Sequence, residues 1–432
     1  MDYREARNYL DETAGKGSVL GLDSMRALLE KLGNPQDRLK FIHISGTNGK
    51  GSVLAYLSTI LKEAGYTVGR YISPTLFSYR ERIQVNEEYI SREALAELVS
   101  QIRAAVAEME AQKEAGPTVF EVETALAFLY FLKMKCDIVV LETGMGGDTD
   151  ATNVIRTTVM EVLVPISMDH MQFLGSTLAE IAAHKAGIIK AGTVAVTALQ
   201  EPEAMQVIEN KAKEMSAGLY VADWRQAEDV CYGIYEQKFS YGGYKDIVIH
   251  LSGSYQIKNA VTALEGVRAL RNRGFEITDE QMRSGFAKAK WNGRFTVVCD
   301  RPLFIMDGAH NRAGAEELKR SIGTYLAGKR ILAIFGVFRD KEYDRILKTL
   351  SPYIDQMITI ETPDNPRALP AQEAACAAKK YIEKVHAAGS IPEAVEQSFA
   401  AAVREEDVIL AFGSLSFLGE IRKAVEDRKE KR

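Results

Sequence analysis

The stretch 46–52 combines glycines, one lysine and hydroxyl side chains directly after a short apolar run at 41–45. A strand, a glycine-rich turn and a helix in this order aim backbone N–H groups and the positive helix end at phosphate. Lys50 would contact the outer phosphates, and Ser52 would offer its hydroxyl to a phosphate or its magnesium ion. We interpret this loop as an ATP site. The predicted phosphate-binding residues are Gly46, Thr47, Asn48, Gly49, Lys50, Gly51 and Ser52.

The loop departs from the general P-loop pattern at two positions. That pattern has glycine five positions before Gly49, where this chain has Ile44, and serine or threonine directly after the lysine, where it has Gly51. A tight turn with a solvated lysine is the alternative. Three glycines at a strand end favour phosphate binding over that alternative.

Length and composition limit the kind of protein. A chain of 432 residues is too long for one typical core and predicts two domains. The net charge of −5 argues against a general nucleic-acid binder. The N-terminus is charged from its second residue, unlike a secretory signal, and no apolar run is long enough to span a membrane. Four widely separated cysteines are typical of a reduced, cytoplasmic protein: Cys136, Cys231, Cys299 and Cys376.

Short runs rich in β-branched residues alternate with helix-like segments along the chain. This alternation predicts an α/β protein with a P-loop-type, doubly wound, mainly parallel sheet. The pattern restarts after an interruption at 290–295, so we expect an ATP-binding domain at 1–293 and a smaller Rossmann-like α/β domain at 294–432. The Tyr- and Gly-rich stretch 215–257 is expected to form antiparallel strands at the edge of the first domain.

The spelling G-T-N-G-K-G-S is one of several blocks that occur together in this chain. The others, in order, are LGLDSMRALLEKLGNPQ, ISPTLFSYRERIQVN, LETGMGGDTDATN, MDHMQFLGSTLAEIAAHKAGIIK and MDGAHN. Together they span nearly the whole chain and resemble the folylpolyglutamate synthase and dihydrofolate synthase family of the Mur ligase superfamily. Three positions depart from that family's pattern: Thr75 stands for histidine, Asp148 for arginine and His184 for glutamate.

The resemblance implies an ATP-dependent carboxylate–amine ligase. Such an enzyme phosphorylates a carboxylate with ATP, and the amine of L-glutamate then displaces the phosphate. The implied substrate is a reduced folate, extended at its γ-carboxylate. The implied cofactors are ATP and two magnesium ions, with a potassium requirement left open, and members of the family are usually monomers.

Four residues are implied as magnesium ligands. Glu142 ends an apolar run at the point where an open α/β sheet presents its ligands, which favours a functional carboxylate even without the resemblance. Ser73 alone would be a strand cap, and His170 alone a loop histidine. Lys185 alone would be a lysine reaching the surface, but the matching family lysine is carbamylated and supplies an anion for a second magnesium ion.

Further residues are implied around the nucleotide. Asn259 matches a nucleotide-contacting asparagine, although a helix N-terminal cap is its simpler role. Arg294 would contact the ATP phosphates, and Asp307 would bind the ribose or adenine. His310 would lie near the transferring phosphate, in a cleft between domains that closes to exclude water. The predicted catalytic residues are Lys50, Lys185 and His310.

The acceptor side of the site is predicted from four residues. Thr118 and Phe120 lie at the start of a predicted helix, and Phe120 could stack on a pterin ring, although a core position is the commoner role. Asp150 keeps its family position, and Arg82 is a spare cation for a substrate carboxylate. Asp148, in place of the loop arginine, puts in doubt any folate contact carried over from that arginine.

Three alternatives remain. A dihydrofolate synthase, dedicated or bifunctional, would join dihydropteroate to glutamate and would differ only in a few pocket residues. A P-loop phosphotransferase or switch would need an N-K-x-D motif or an arginine-rich lid, and the sequence has neither. A cell-wall Mur ligase would carry a further N-terminal domain, which is disfavoured because the ATP loop already begins at residue 46.

Overall fold

The structure is a computed structural model that describes residues 1–14 and 21–430. It consists of two compact units. The first comprises Met1–Thr75, Tyr79–Ala227 and Lys258–Ala289, and the second comprises Leu76–Ser78, Glu228–Ile257 and Lys290–Arg432. Leu20, the first residue of the block LGLDSMRALLEKLGNPQ, lies outside the described residues. No described helix is long and apolar enough to cross a membrane.

Helices and strands alternate through the first unit. In chain order they are α1 (Tyr3–Ala14), α2 (Asp23–Lys31), β1 (Phe41–Ser45), α3 (Lys50–Glu63), β2 (Val68–Tyr71), β3 (Ile83–Val85), β4 (Glu88–Tyr89), α4 (Arg92–Ala111), α5 (Val119–Lys133), β5 (Ile138–Glu142), β6 (Thr158–Leu163), α6 (Met171–Leu174), α7 (Leu178–Ala186), β7 (Val194–Ala198), α8 (Pro202–Glu214) and β8 (Gly218–Ala222). Two later helices complete it, α9 (Gln256–Asn272) and α10 (Asp279–Lys288).

The strands of this unit form one sheet of order β4-β3-β2-β5-β1-β6-β7-β8. Only β3 and β4 join it antiparallel, and all neighbours from β2 to β8 run parallel. The predicted doubly wound, mainly parallel sheet is therefore confirmed. β1 and β5 are buried along their whole length, because a parallel sheet carries helices on both faces and needs apolar residues on both.

The core on one face of this sheet is formed with α1, α2, α4 and α5. Phe41 of β1 meets Phe128 of α5 edge-on, with ring centroids 5.5 Å apart. This packing fixes the sheet centre. In the parallel register Ile44 lies opposite Glu142, so β1 and β5 end at the same edge. The loop after β1 and the carboxylate that ends β5 are consequently neighbours.

The second unit contains a six-stranded sheet. Its elements are β9 (Glu228–Cys231), β10 (Gln237–Tyr241), β11 (Tyr244–Ile249), β12 (Thr296–Asp300), β13 (Leu303–Asp307), α11 (Arg312–Tyr325), β14 (Ile331–Phe335), α12 (Tyr343–Leu350), β15 (Gln356–Thr359), α13 (Ala371–Ala378), β16 (Val385–Ala387), α14 (Ile391–Ala401), β17 (Val408–Phe412) and α15 (Leu418–Glu430). The six-stranded sheet has the order β12-β13-β17-β14-β15-β16, and only β12 runs antiparallel to its neighbour. This confirms the predicted second α/β sheet.

Strands β9 to β11 form a separate antiparallel sheet of three strands. It belongs to the second unit, whereas the sequence analysis placed these strands at the edge of the first domain. Side-chain hydrogen bonds account for the difference: the Tyr325 hydroxyl of α11 donates to Gln237 of β10 at 2.7 Å, and Tyr235 donates to Asp300 at 2.7 Å. β8, also within the predicted stretch, instead pairs parallel with β7.

Candidate active site

The loop between β1 and α3 has a backbone that glycine makes possible. Gly46 has φ 137°, and a Cβ there would come within 2.3 Å of Val164 Cγ2 and 2.7 Å of its carbonyl oxygen. Gly49 has φ 107°, and a Cβ there would lie 2.6 Å from Oδ1 of Asn259. Both positions therefore combine a left-handed backbone with a close approach that excludes a side chain. The second contact also brings Asn259 of α9 against the loop, as a nucleotide-contacting role requires.

The loop is tied to the segment that follows β6. The backbone N–H groups of Thr47 and Asn48 both donate to the carbonyl oxygen of Pro165, at 2.9 and 3.3 Å. The Thr47 hydroxyl donates to the carbonyl of Ser167 at 3.1 Å, and the Ser167 N–H donates back at 3.0 Å. Thr47 and Asn48 thus hold the loop in shape. Ser52, in the first turn of α3, is buried at the same end of the sheet.

Lys50 lies over this loop beside a carboxylate. Its Nζ donates to the carbonyl oxygens of Gly46 (3.2 Å) and Thr47 (3.3 Å) and lies 3.9 Å from Oε1 of Glu142. Lys50 is the first residue of α3, and Gly51 is the second. The lysine therefore lies at the N-terminal end of the helix, which carries partial positive charge. A cation held at this place can neutralise the outer phosphates of a nucleotide.

Glu142 and Ser73 meet at the carboxyl edge of the sheet. Glu142 is 5% exposed, and its Oε2 accepts a 3.4 Å hydrogen bond from the Ser73 N–H. No cluster of three or more His, Cys, Asp or Glu side chains that could hold a metal occurs among residues 1–14 and 21–430. Magnesium needs no such cluster, because it is usually held by one or two carboxylates plus substrate phosphates and waters. The Glu142 carboxylate is therefore a chemically suitable magnesium ligand, with the backbone of Ser73 beside it.

Lys185 is buried near the phosphate loop. Its side chain lies in the last turn of α7 and is 4% exposed, and its Nζ donates to the carbonyl of Gly46 at 2.9 Å. Burial, helped by the charge of Lys50, lowers the pKa of the Lys185 ammonium to about 7, although Asp169 and Asp150 oppose the shift. The alternative of a lysine reaching solvent is wrong.

His170 is less tightly placed. It is exposed, has φ 51° and precedes α6, and its N–H donates to Oδ1 of Asp169 at 2.9 Å. A left-handed backbone at a non-glycine residue carries strain that is common at ligand sites. Its imidazole role stays a prediction.

The predicted acceptor residues surround the loop that follows β5. Thr118 caps α5 and exchanges hydrogen bonds with Glu121 in a capping box. The Phe120 ring packs against Gly144, where a Cβ would lie 2.5 Å from its Cζ, and against the Tyr71 ring at 6.0 Å. Phe120 is only partly buried, so it combines a packing role with an accessible surface.

The Asp150 carboxylate closes the same loop. It accepts hydrogen bonds from the Met145 N–H at 2.8 Å and the Thr152 N–H at 3.0 Å, and from the Thr152 hydroxyl. Burial raises the pKa of this carboxyl. The Thr152 hydroxyl has its single hydrogen on Asp150, so His43 Nε2, 2.8 Å away, must be the donor to that hydroxyl. Asp150 is thereby an organising residue of the loop.

Arg82 is not the spare cation that the sequence suggested. Its Nε lies 3.3 Å from Oε1 of Glu123, which is buried, and the Arg82 side chain itself is 14% exposed. Burial raises the pKa of the Glu123 carboxyl, and Arg82 opposes that shift. A buried guanidinium requires such a partner, and the partner lies on α5, too far along the chain for sequence spacing to reveal it.

In the second unit, Arg294, Asp307 and His310 gather around one turn. A Cβ on Gly308 would lie 2.2 Å from Nη1 of Arg294, so glycine makes room for the guanidinium. The Asp307 carboxylate accepts from the Tyr255 hydroxyl at 2.7 Å and from two backbone N–H groups. His310 Nδ1 lies 2.8 Å from the Gly308 carbonyl oxygen. The structure thus brings these three residues together.

Two site contacts were missed by the sequence reasoning. The buried Ser45 hydroxyl donates to the Gly146 carbonyl at 2.7 Å and links the ends of β1 and β5. Asp148 and His184, noted separately as departures from a family pattern, contact each other. The signal for the second contact was present, because one departure introduces an acid and the other a base, and such a pair of departures suggests compensation.

The chain matches two domains of one enzyme class. The Mur ligase middle domain matches residues 44–266, and the glutamate ligase domain of the Mur ligases matches residues 293–415. Together with the phosphate loop, these matches define an ATP-dependent, Mur-type glutamate ligase.

Relatives that match over nearly the whole of both chains identify the family within this enzyme class. The dihydrofolate synthase/folylpolyglutamate synthase of Bacillus subtilis (strain 168) is 36% identical over 98% of both chains. The Mycobacterium tuberculosis folylpolyglutamate synthase complexed with ADP and AMPPCP is 31% identical, with a TM-score of 0.89 over 98% of this chain and 99% of that one. E. coli FolC in complex with DHPP and ADP is 28% identical, with a TM-score of 0.85 over 99% of both. The chain belongs to the folylpolyglutamate synthase/dihydrofolate synthase family.

Proposed function

We propose that this protein adds L-glutamate to the γ-carboxylate of a reduced folate through an acyl phosphate. The observation that carries the proposal is the arrangement of Lys50, Glu142 and Lys185 around one glycine-rich loop. The relatives named as folylpolyglutamate synthases support the choice of substrate.

A carboxylate does not react with an amine at neutral pH until it is activated. The γ-carboxylate oxygen would attack the γ-phosphorus of ATP and release ADP, and the glutamate nitrogen would then attack the acyl carbon. The C–O bond to phosphate breaks and phosphate leaves. The glutamate nitrogen loses one proton before it attacks and a second as the amide forms, and the departing phosphate takes up one of them. Lys50 would stabilise charge on the transferring phosphoryl group, so positioning and electrostatics account for the catalysis.

Magnesium belongs to this proposal. Glu142 and Ser73 would hold one ion, and His170 with carbamylated Lys185 would hold a second. When bound, magnesium neutralises phosphate charge. The lowered pKa of Lys185 supports carbamylation, because only the neutral amine attacks dissolved CO₂ and about half of it is neutral near pH 7. We expect the carbamate of Lys185, and not its ammonium, to be the magnesium ligand.

The folate would lie along the loop after β5. Phe120 would stack on the pterin, with Thr118 and Asp150 beside it. We do not assign Arg82 to the substrate carboxylate, because its guanidinium is paired with Glu123. In the second unit we assign Arg294 to the ATP phosphates and His310 to the transferring phosphate, while Asp307 holds their turn in shape and lines the ribose or adenine.

A second activity is supported by the relatives. The Bacillus subtilis protein is named for both dihydrofolate synthase and folylpolyglutamate synthase, and the E. coli protein binds DHPP. The present chain would then also join dihydropteroate to glutamate.

The deciding experiment is glutamate-dependent ADP release from MgATP with tetrahydrofolate and, in parallel, with dihydropteroate. Turnover with tetrahydrofolate alone identifies a folylpolyglutamate synthase, and turnover with both identifies a bifunctional enzyme. Turnover with dihydropteroate alone would contradict the main proposal and favour a dedicated dihydrofolate synthase. Turnover with neither, by protein that binds ATP, would contradict both. Light scattering that gave the mass of two chains would contradict the expected monomer.

A further inference from the structure

Asp148 and His184 form a side-chain pair between two functional segments. Nδ1 of His184 lies 2.9 and 3.0 Å from the two carboxylate oxygens of Asp148. Asp148 follows Gly147 in the loop after β5, and His184 lies in the last turn of α7, one residue before Lys185. The pair therefore joins the predicted acceptor loop to the helix that carries the buried lysine.

The backbones of these segments are also in contact. The Asp148 N–H donates to the His184 carbonyl at 2.9 Å. A Cβ on Gly147 would lie 2.6 Å from that same carbonyl oxygen, and a Cβ on Gly187 would lie 2.4 Å from Cβ of Asp148. The loop thus rests directly on the C-terminal turn of α7, and a shift of either segment must move the other.

The charges explain why this pair has its present order. A helix C-terminus carries partial negative charge, which favours a histidine in the last turn and disfavours a nearby carboxylate. Asp148 is placed near this end and has His184 as its partner. In the pattern that the sequence resembles, arginine and glutamate stand at these positions. The present chain also has one acid and one base at these two positions, but here the acid stands in the loop and the base stands in α7.

We propose that Asp148 and His184 act together as positioning residues, which hold α7 so that Lys185 Nζ stays against the Gly46 carbonyl. The catalytic consequence rests on the proposed function, because it requires that Lys185 acts in the ligase site. The geometric consequence, a protected Lys185, does not.

A charge-exchange cycle tests the pair in the full-length protein. The variants are Asp148→Arg, His184→Glu and the double variant. The first reading is the rate at which acetic anhydride acetylates Lys185 without substrates, measured by peptide mass spectrometry against exposed Lys379. Asp148→Arg removes the acceptor for the imidazole and His184→Glu places two carboxylates together, so each single variant should raise this rate about 5-fold. The double variant should return it to within about 2-fold of wild type.

The second reading is glutamate-dependent ADP release. Each single variant should lower kcat about 10-fold with little change in the KM for glutamate, and the double variant should recover most of kcat. The kcat values are calculated per folded protein, with the folded fraction measured by circular dichroism, because partial unfolding alone would also lower the apparent kcat at constant KM. If the single variants do not fold, Asp148→Asn, which keeps an acceptor for the imidazole N–H, should leave Lys185 protected, whereas Asp148→Ala should expose it.

The results separate the two claims. A double variant no better than the product of the single variants, or single variants with unchanged Lys185 acetylation, would overturn the positioning role. A wild-type protein without glutamate-dependent turnover would overturn the proposed function, while the acetylation cycle would still decide the pair.

Discussion

The Nζ of Lys185 donates a 2.9 Å hydrogen bond to the carbonyl oxygen of Gly46, so a buried lysine of α7 rests on the phosphate loop. The contact joins residues 139 positions apart. Among residues 1–14 and 21–430 it is the one hydrogen bond of this ammonium, which is poorly solvated.

The first prediction concerns the cost of burying Lys185. Its pKa is about 7 in the folded protein and ordinarily near 10.5, so between these values the unfolded chain binds more protons and stability rises with pH. From pH 7 to pH 9 in CO₂-free buffer, wild type should gain about 2 kcal/mol relative to Lys185→Met. Urea unfolding of both proteins at both pH values measures this difference. Parallel pH dependence in the two proteins would mean that Lys185 is not buried.

The second prediction concerns Gly49. Gly49→Ala should weaken ATP binding at least about 10-fold, because its Cβ would meet Asn259 Oδ1 and distort the loop. Gly65→Ala is a matched control, since Gly65 also has a left-handed backbone (φ 91°) but its Cβ would meet nothing within 4 Å. Isothermal titration with ATP should find the control close to wild type. Equal loss in both variants would assign the effect to backbone strain alone.

The third prediction concerns Phe120. Phe120→Ala should raise the KM for tetrahydrofolate about 10-fold and leave the KM for ATP within about 2-fold, because the ring faces the acceptor loop at Gly144. Phe275→Ala removes a ring of similar burial that packs on Tyr66 instead. Steady-state kinetics should show no selective effect for this control. A Phe120 variant that is destabilised without a folate effect would make the ring a core residue only.

The fourth prediction concerns His43. Burial lowers the pKa of His43 to about 3, and Nδ1 has no hydrogen-bond partner among residues 1–14 and 21–430, so the protonated imidazole is disfavoured in the folded protein. Folded-state stability should therefore fall as the pH drops below the unfolded value near 6.5. Between pH 7 and pH 4.5 this histidine alone should cost roughly 2 kcal/mol.

The comparison for His43 uses His43→Gln, which keeps a donor for Thr152 but does not titrate. Urea unfolding should show a smaller acid loss for this variant than for wild type. Exposed His250 supplies the control, and His250→Gln should lose stability with acid as wild type does. An equal acid loss in wild type and His43→Gln would show that His43 is not held neutral.

Local patterns predicted much of this protein correctly. The strand, glycine-rich turn and helix at 41–63 are encoded within a few residues, because glycine alone tolerates φ values such as those of Gly46 and Gly49. Continuous apolar runs such as 138–141 report strands buried on both faces. Chain-order blocks then identified the family. All these features depend on residues that are close together in the sequence.

Partners distant in sequence could not be predicted in the same way. Arg82 was expected to be free for a substrate carboxylate and is paired with Glu123. Strands β9 to β11 were expected at the edge of the first domain and belong to the second compact unit. Asp148 and His184, 36 positions apart, were noted as two separate departures, and their contact was not predicted. In each case the deciding contact depends on which elements pack together.

The sequence by itself determined the glycine-rich loop and the alternating α/β architecture, because these follow from backbone preferences and hydrophobic periodicity over short stretches. The family followed from the resemblance of several motif blocks. Only the tertiary structure decided the state of the charged side chains. It buried Lys185 against Gly46, occupied Arg82 with Glu123 and paired Asp148 with His184. The physical reason is that desolvation and ion pairing depend on the neighbours that the fold supplies, and spacing along the chain does not specify them.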